Sequence, residues 1–354
     1  MKKILIGICD LGQGHVNREK LLIELLIKKG YRLCLVTMNQ KDFNYSGVKI
    51  IRCPVPWIAT NNNGIDFNEC LKKYNNQNFY KEFIKMCIEI EEFFEGIPDI
   101  VISDYEPNVA QYAYARDLKL INLEQQSKFL FINEQETNNI KILEEKSRLK
   151  FFFPKSDLRI ISSFFPIKIH SKDNVIVTSP IINKKMLVKE EEQFVLVYFS
   201  PYGYENYMFL YKKILKMIKN ITDIKFKIYS NLVFEDIKQK NIEFVKFNEN
   251  FKKDISRCKF IITTSGHQLI SEALYLEKPL LLTSFDTFEQ NYNKKIVLKN
   301  KLGDELVNFN AAEVLTFDKN YNKYKKNIRK YNKKNKFLDW EKVFIDNIEE
   351  MSNK

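Results

Sequence analysis

At 354 residues, 45% hydrophobic and 29% charged, the chain has the length for two domains and the composition of a globular protein, which excludes a disordered or low-complexity one. Six scattered cysteines without a C-x-x-C pair speak for reduced thiols over a disulfide frame or a zinc site, and no apolar run of about 18 residues is present to span a membrane. The net charge of +12 admits an anionic partner, but much of it is concentrated between Lys319 and Lys336, where nine of eighteen residues are Lys or Arg.

Lys3 to Cys9 is a near-continuous apolar run, the pattern of a parallel strand buried on both faces, and Asp10 breaks it too early for a signal peptide. Gly12 and Gly14 permit a tight strand-to-helix turn, and His15 opens a helix running to about Lys29. This G-x-G lacks the third glycine of a dinucleotide fingerprint, and the next strand, Tyr31 to Thr37, ends without a ribose-binding acid, which sets an NAD enzyme aside. A strand at Val48 to Arg52 and a Pro-bearing loop with Trp57 lead to Ile65–Phe94, read as one or two amphipathic helices carrying Phe67, Tyr74, Phe79, Tyr80 and Phe83.

The segment PDIVISDYEPNVAQYAYARDLKLINLEQQ is a strand, loop, helix and strand. Asp104 ends its strand as His15 follows the first, so parallel pairing predicts both on one rim. A carboxylate bonded to an imidazole fixes its tautomer and raises its basicity, which makes His15 a candidate general base and Asp104 its support. Helix capping is the competing role for Asp104, and capping or packing for His15; Glu106 and Glu124 are weaker acid or base candidates. A helix around Thr137 to Lys150 and strands at Leu158 to Ser162 and Val175 to Thr178 follow, and the polar Ser179–Glu192 with Pro180 reads as a linker.

The pattern restarts with a strand at Phe194 to Ser200, a helix to about Asn220, and strands at Lys225 to Tyr229 and Ile242 to Lys246. Arg257 to Asn293 then supplies a strand (Phe260 to Ile262), a turn ending in Gly266, a helix (His267 to Tyr275), a strand (Pro279 to Leu282) and a Glu-Gln-Asn cluster opening another helix. The amino end of the helix after Gly266 offers N–H groups and a positive dipole end to a phosphate. Beyond a weak strand or loop at Gly303 come the basic run and a terminal amphipathic helix, FLDWEKVFIDNIEE.

Gly266-His267, Glu272, Pro279 and Glu289-Gln290-Asn291 together resemble the donor-binding box of inverting GT-B glycosyltransferases, the MurG-type, macrolide and plant natural-product enzymes among them. The glycine loop with its trailing His15 resembles their amino-terminal loop. The resemblance implies an α/β GT-B fold, two Rossmann-like domains with parallel sheets facing across a cleft. Residues 1–180 would bind the acceptor, 193–336 the nucleotide sugar, and the helix of 337–354 would cross back to the first domain.

It further implies an inverting transfer in which His15, aided by Asp104, deprotonates an acceptor hydroxyl or amine. His267 and nearby N–H groups would hold the pyrophosphate, Glu272 the ribose, and Glu289 and Gln290 the sugar. Gly14, Ser200, Gly203, Ser265, Gly266 and Gln268 complete the donor contacts, with Phe247 over the base. Ser200 and Gly203 stand in a loop with less glycine than relatives carry, a departure from the family's pattern. UDP ranks ahead of dTDP and GDP. No D-x-D marks a metal, and no cofactor beyond the nucleotide sugar is implied. The acceptor is a small molecule, glycan or glycolipid, and the enzyme is cytoplasmic. Lys319 to Lys336 is either a solvated helix face or a peripheral contact with anionic membrane. A nucleotide-sugar epimerase of the same architecture is the alternative, and a basic nucleic-acid-binding protein ranks below it.

Overall fold

The structure, a computed structural model, describes residues 1–10, 13–38, 43–55, 60–61, 64–65, 72, 79–132, 140–169, 174–184, 193–199, 207–230, 239–285 and 287–351. The chain folds into two compact units, one of Met1–Thr60, Ile65–Ile181 and Phe337–Lys354, the other of Asn61–Gly64 and Ile182–Lys336.

In chain order the first part holds β1 (Lys3–Ile8), α1 (Gln13–Lys28), β2 (Arg32–Thr37), β3 (Lys49–Arg52), a small ribbon of β4 (Thr60–Asn61) and β5 (Gly64–Ile65), and α2 (Phe79–Phe94). Then come β6 (Ile100–Asp104), α3 (Pro107–Ala115), β7 (Leu120–Glu124), a 3-10 turn (Gln126–Phe131), α4 (Ile140–Phe152), β8 (Leu158–Ser162) and β9 (Val175–Thr178). The seven-stranded sheet has the order β3-β2-β1-β6-β7-β8-β9 with parallel neighbours. Its central strands are buried along nearly their whole length, which is why they read as largely apolar runs. Strand order reverses between β1 and β6, where Ile8 pairs with Asp104, and in open parallel sheets ligands sit beyond the carboxyl ends of the strands at such a reversal.

Gly7 in β1 lets α3 approach. A Cβ there would lie 2.3 Å from Val109 Cγ2 and 2.8 Å from Glu106 Oε2. The carboxyl-terminal helix α10 (Trp340–Met351) buries Trp340, Phe344, Ile345 and Ile348 in the same core as Ile4, Ile6, Leu22 and Leu26, so it is part of this unit. Each such side chain contributes about 1.5–3 kcal/mol of burial free energy.

The second unit contains β10 (Phe194–Tyr198), α5 (Tyr207–Ile218), β11 (Lys225–Tyr229), β12 (Ile242–Val245), α6 (Phe251–Arg257), β13 (Phe260–Thr264), α7 (His267–Tyr275), β14 (Leu280–Thr283), α8 (Phe288–Lys299), β15 (Gly303–Glu305) and α9 (Ala311–Lys334). The sheet order is β12-β11-β10-β13-β14-β15, again parallel, with its reversal between β10 and β13. Asn310 and Glu313 start α9 with a reciprocal capping box. The short helix α6 and the 3-10 turn are absent from the sequence-based reading, whereas most strands agree with it to within a residue or two. Among the described residues no helix is long and apolar enough to cross a membrane, and no group of three or more His, Cys, Asp and Glu is placed to hold a metal ion.

Candidate active site

The helix α1 starts just beyond β1 and carries His15 in its first turn, while Asp104 is the last residue of β6, next to β1 in the sheet. That adjacency brings Nδ1 of His15 to 3.0 Å from both Oδ1 and Oδ2 of Asp104. Carboxylate oxygens only accept, so a hydrogen bond from the ring to Asp104 uses the tautomer with its proton on Nδ1 and its lone pair on Nε2. The capping role open to Asp104 belongs instead to Glu106, which accepts from the Asn108 and Val109 amides at 3.1 and 2.8 Å. Glu124 likewise accepts from the Ser127 amide and hydroxyl.

Behind Asp104 lies a buried charge network. Arg18 and Glu19, one turn after His15, are 1% and 0% exposed, and Asp104 is 0% exposed. The Arg18 guanidinium donates to Asp104 Oδ1 and lies 2.9 Å from His15 Nδ1. Burial opposes charge on Asp104, but Arg18 and then His15 outweigh it and hold the carboxyl below its ordinary range. Glu19 goes the other way: burial first, and Asp104 beside it, push its carboxyl well above the ordinary range despite Arg18. Arg18 is the cation between the two carboxyls, and the balance favours the charge on Asp104 and opposes it on Glu19. The arrangement fixes Asp104, and through it the His15 ring.

In the second unit Gly266 stands at the amino end of α7 without a side chain to cap it, and His267 follows, 2% exposed. Glu272, on the next turns of α7, is 5% exposed, and its Oε1 accepts from Gln268 Nε2 at 3.1 Å. Burial raises its carboxyl above the ordinary range against the opposing pull of Lys252 and Gln268. Other residues of the segment that resembles a donor-binding box are partly committed to holding the loops. Ser265 donates its hydroxyl to Thr283 O at 2.8 Å, Asn293 donates to Ser265 O at 3.0 Å, and Gln290 Oε1 accepts from the Phe285 amide at 3.0 Å. Asn291 Oδ1 takes the Ser284 hydroxyl. Glu289 is half-buried in the first turn of α8. Phe247 packs in an aromatic cluster with Tyr198, Tyr229 and Phe251, ring centroids 4.9–6.4 Å away.

A family model described as Glycosyl transferase family 1 matches residues 2–321. The chain belongs to this family. No curated protein sequence matches it. Solved structures do. The spinosyn forosaminyltransferase SpnP is 11% identical over 100% of both chains with a TM-score of 0.66. A Phytolacca americana UGT2, solved with UDP-2-fluoro-glucose and pterostilbene, is 12% identical over 94% of each chain at 0.68. A Polygonum tinctorium UDP-glucosyltransferase capable of glucosylating indoxyl, in complex with 3,4-dichloroaniline, is 10% identical over 100% of this chain and 99% of its own at 0.71. The two parallel-sheet units are thus the Rossmann-like domains of a GT-B glycosyltransferase.

Within this glycosyltransferase the structure brings His15 and Asp104 together, and clusters Ser265, Gly266, His267, Gln268 and Glu272 at the start of α7. Gly14 lies in the first turn of α1. Ser200 and Gly203 lie outside the described residues, as do Trp57, Phe67 and Tyr74 of the aromatic stretch. Sequence reasoning missed Arg18, Glu19 and Gln126. For the first two the signal was present: charged residues three and four places after His15 on the helix face that also carries buried Leu22, Ile23 and Leu26. Gln126, whose Nε2 lies 3.2 Å from His15 Nε2, sits in the 3-10 turn and had none.

Proposed function

We propose that this glycosyltransferase inverts configuration, moving a sugar from a nucleoside diphosphate sugar, UDP ahead of dTDP or GDP, to an acceptor hydroxyl or amine. The carrying observation is the His15–Asp104 pair, in which Nδ1 meets the carboxylate and Nε2 is the ring nitrogen that Asp104 does not engage. In the proposed step Nε2 takes the acceptor proton as the acceptor attacks the anomeric carbon from the face opposite the diphosphate. The leaving diphosphate is stabilised by the amino end of α7 and His267, Glu272 takes the ribose hydroxyls, and Glu289 and Gln290 the sugar. The scheme needs no resident metal or cofactor. The relative holding UDP-2-fluoro-glucose supports a UDP-sugar donor and a small-molecule acceptor.

Free cysteines Cys9, Cys34, Cys53, Cys87 and Cys258 support a cytoplasmic setting. On α9 the exposed Lys319, Lys323, Lys326, Lys330 and Lys333 recur at helical spacing and support a peripheral contact with an anionic membrane face. Sedimentation with anionic and neutral vesicles tests that contact, and equal binding to both would contradict it. The catalytic proposal is tested by incubating UDP-, dTDP- and GDP-sugars with acceptor mixtures. UDP release coupled to a new glycoside supports it. Conversion of the donor's sugar with the diphosphate bond intact would point to an epimerase.

A further inference from the structure

The amide of Gln126 lies against the atom of His15 that the proposed reaction needs. Gln126 Nε2 is 3.2 Å from His15 Nε2. An amide NH2 only donates, so it takes the lone pair that would receive the acceptor's proton. At the other end of the amide, Oε1 is buried and has no hydrogen-bond partner among the described residues, so among these residues it is the contact with His15 that orients the group. The turn beneath it is braced. The Ser127 amide donates to Glu124 Oε2 at 2.8 Å, Arg159 Nη1 to Ser127 Oγ at 2.9 Å, and Lys128 Nζ to Gln125 Oε1 at 3.2 Å.

We infer that Gln126 is a specificity-determining residue: it caps Nε2 of His15 and withholds the base from water until an acceptor displaces the amide. The inference rests on His15 being the base. In donor hydrolysis a water oxygen bonds to the anomeric carbon, its proton passes to Nε2, and the bond to the diphosphate breaks with its electron pair leaving on the diphosphate. A water molecule gains at Nε2 about what the amide loses. An acceptor draws on contacts along its whole surface and uses them to displace the amide at the reacting centre. The cap therefore lowers hydrolysis more than transfer.

The test needs no acceptor. UDP-glucose and UDP-N-acetylglucosamine are supplied alone, and UDP release is followed for the wild type, Gln126→Ala and Gln126→Leu, each with and without His15→Gln. Both Gln126 variants are expected to hydrolyse donor roughly fivefold faster, the factor that one displaced hydrogen bond represents, and His15→Gln is expected to abolish the gain. A merely structural role lowers the rate. Hydrolysis that needs His15 but is unchanged or slower in both Gln126 variants overturns the inference and leaves the base intact. Turnover independent of His15 overturns the base reading itself. The chain has three histidines, so nitrogen-15 spectra follow the His15 ring without turnover. The Nε2 signal is expected to move on Gln126→Ala, and one that does not move overturns the cap even where hydrolysis is too slow to read.

Discussion

Both carboxylate oxygens of Asp104 lie 3.0 Å from Nδ1 of His15, and one of them is also held by Arg18. Replacing Asp104 with Asn offers the ring an N–H where it now meets acceptors, which favours the tautomer protonated on Nε2. Transfer by Asp104→Asn is expected to fall by about 10²–10⁴-fold. Arg18 loses its buried anion at the same time, at a cost of about 3–5 kcal/mol in urea unfolding. The carboxyl of Asp104 is depressed in the folded state, so its contribution is full above its unfolded pKa and is lost as pH falls through the folded one. The wild type should therefore lose its advantage over Asp104→Asn in strong acid. An advantage that does not vary with pH would contradict the ionised network.

Glu106 caps α3 from a fully buried position, and burial raises its carboxyl from 4.5 to about 7 against the Val109 and Asn108 amides. The folded state then holds a proton that the unfolded chain releases between those values. Wild-type stability should fall as pH rises through that window, by about 3 kcal/mol from this group. Glu106→Gln cannot ionise, so its stability relative to the wild type should improve by a similar amount between pH 4.5 and 7. Denaturant titrations at both ends measure this; parallel curves would refute it.

Glu272 is buried with its hydrogen bond to Gln268 on the helix that opens at Gly266. Glu272→Ala is expected to weaken UDP-sugar binding by about 10–100-fold and to remove the thermal stabilisation by UDP. A variant that binds UDP like the wild type would take Glu272 out of the donor site.

Gly303 pairs with Leu280 in the parallel ladder, and a Cβ on it would lie 2.0 Å from the Leu280 carbonyl oxygen. Since that neighbour is backbone, Gly303→Ala must shift β15, with an expected loss of about 1–3 kcal/mol or more. Unchanged thermal stability would argue against this register.

The strands were legible in the sequence because burial on both faces leaves near-continuous apolar runs, as in ILIGI and FII. The meeting of His15 and Asp104 was legible too, since it needs only two adjacent parallel strands ending level. Other assignments depended on contacts that spacing does not encode. Ser265 and Gln290 have the residue types of ligand contacts, and spacing did not show that each also holds backbone of a neighbouring loop. Asp104 and Glu106 both precede α3, and only the structure separates the ring's partner from the cap. Gln126 reaches His15 through a 3-10 turn with no apolar periodicity to announce it.

The central claim is that His15 activates an acceptor for inverting transfer. The most direct measurement is proton NMR of the first sugar product formed from an α-linked UDP-sugar, run in parallel with the rate of UDP release by wild type and His15→Gln. A β-configured product, with UDP release reduced by about 10²–10⁴-fold in His15→Gln while UDP binding is retained, is the predicted result. An α-configured product, or a His15→Gln enzyme of undiminished rate, would contradict it.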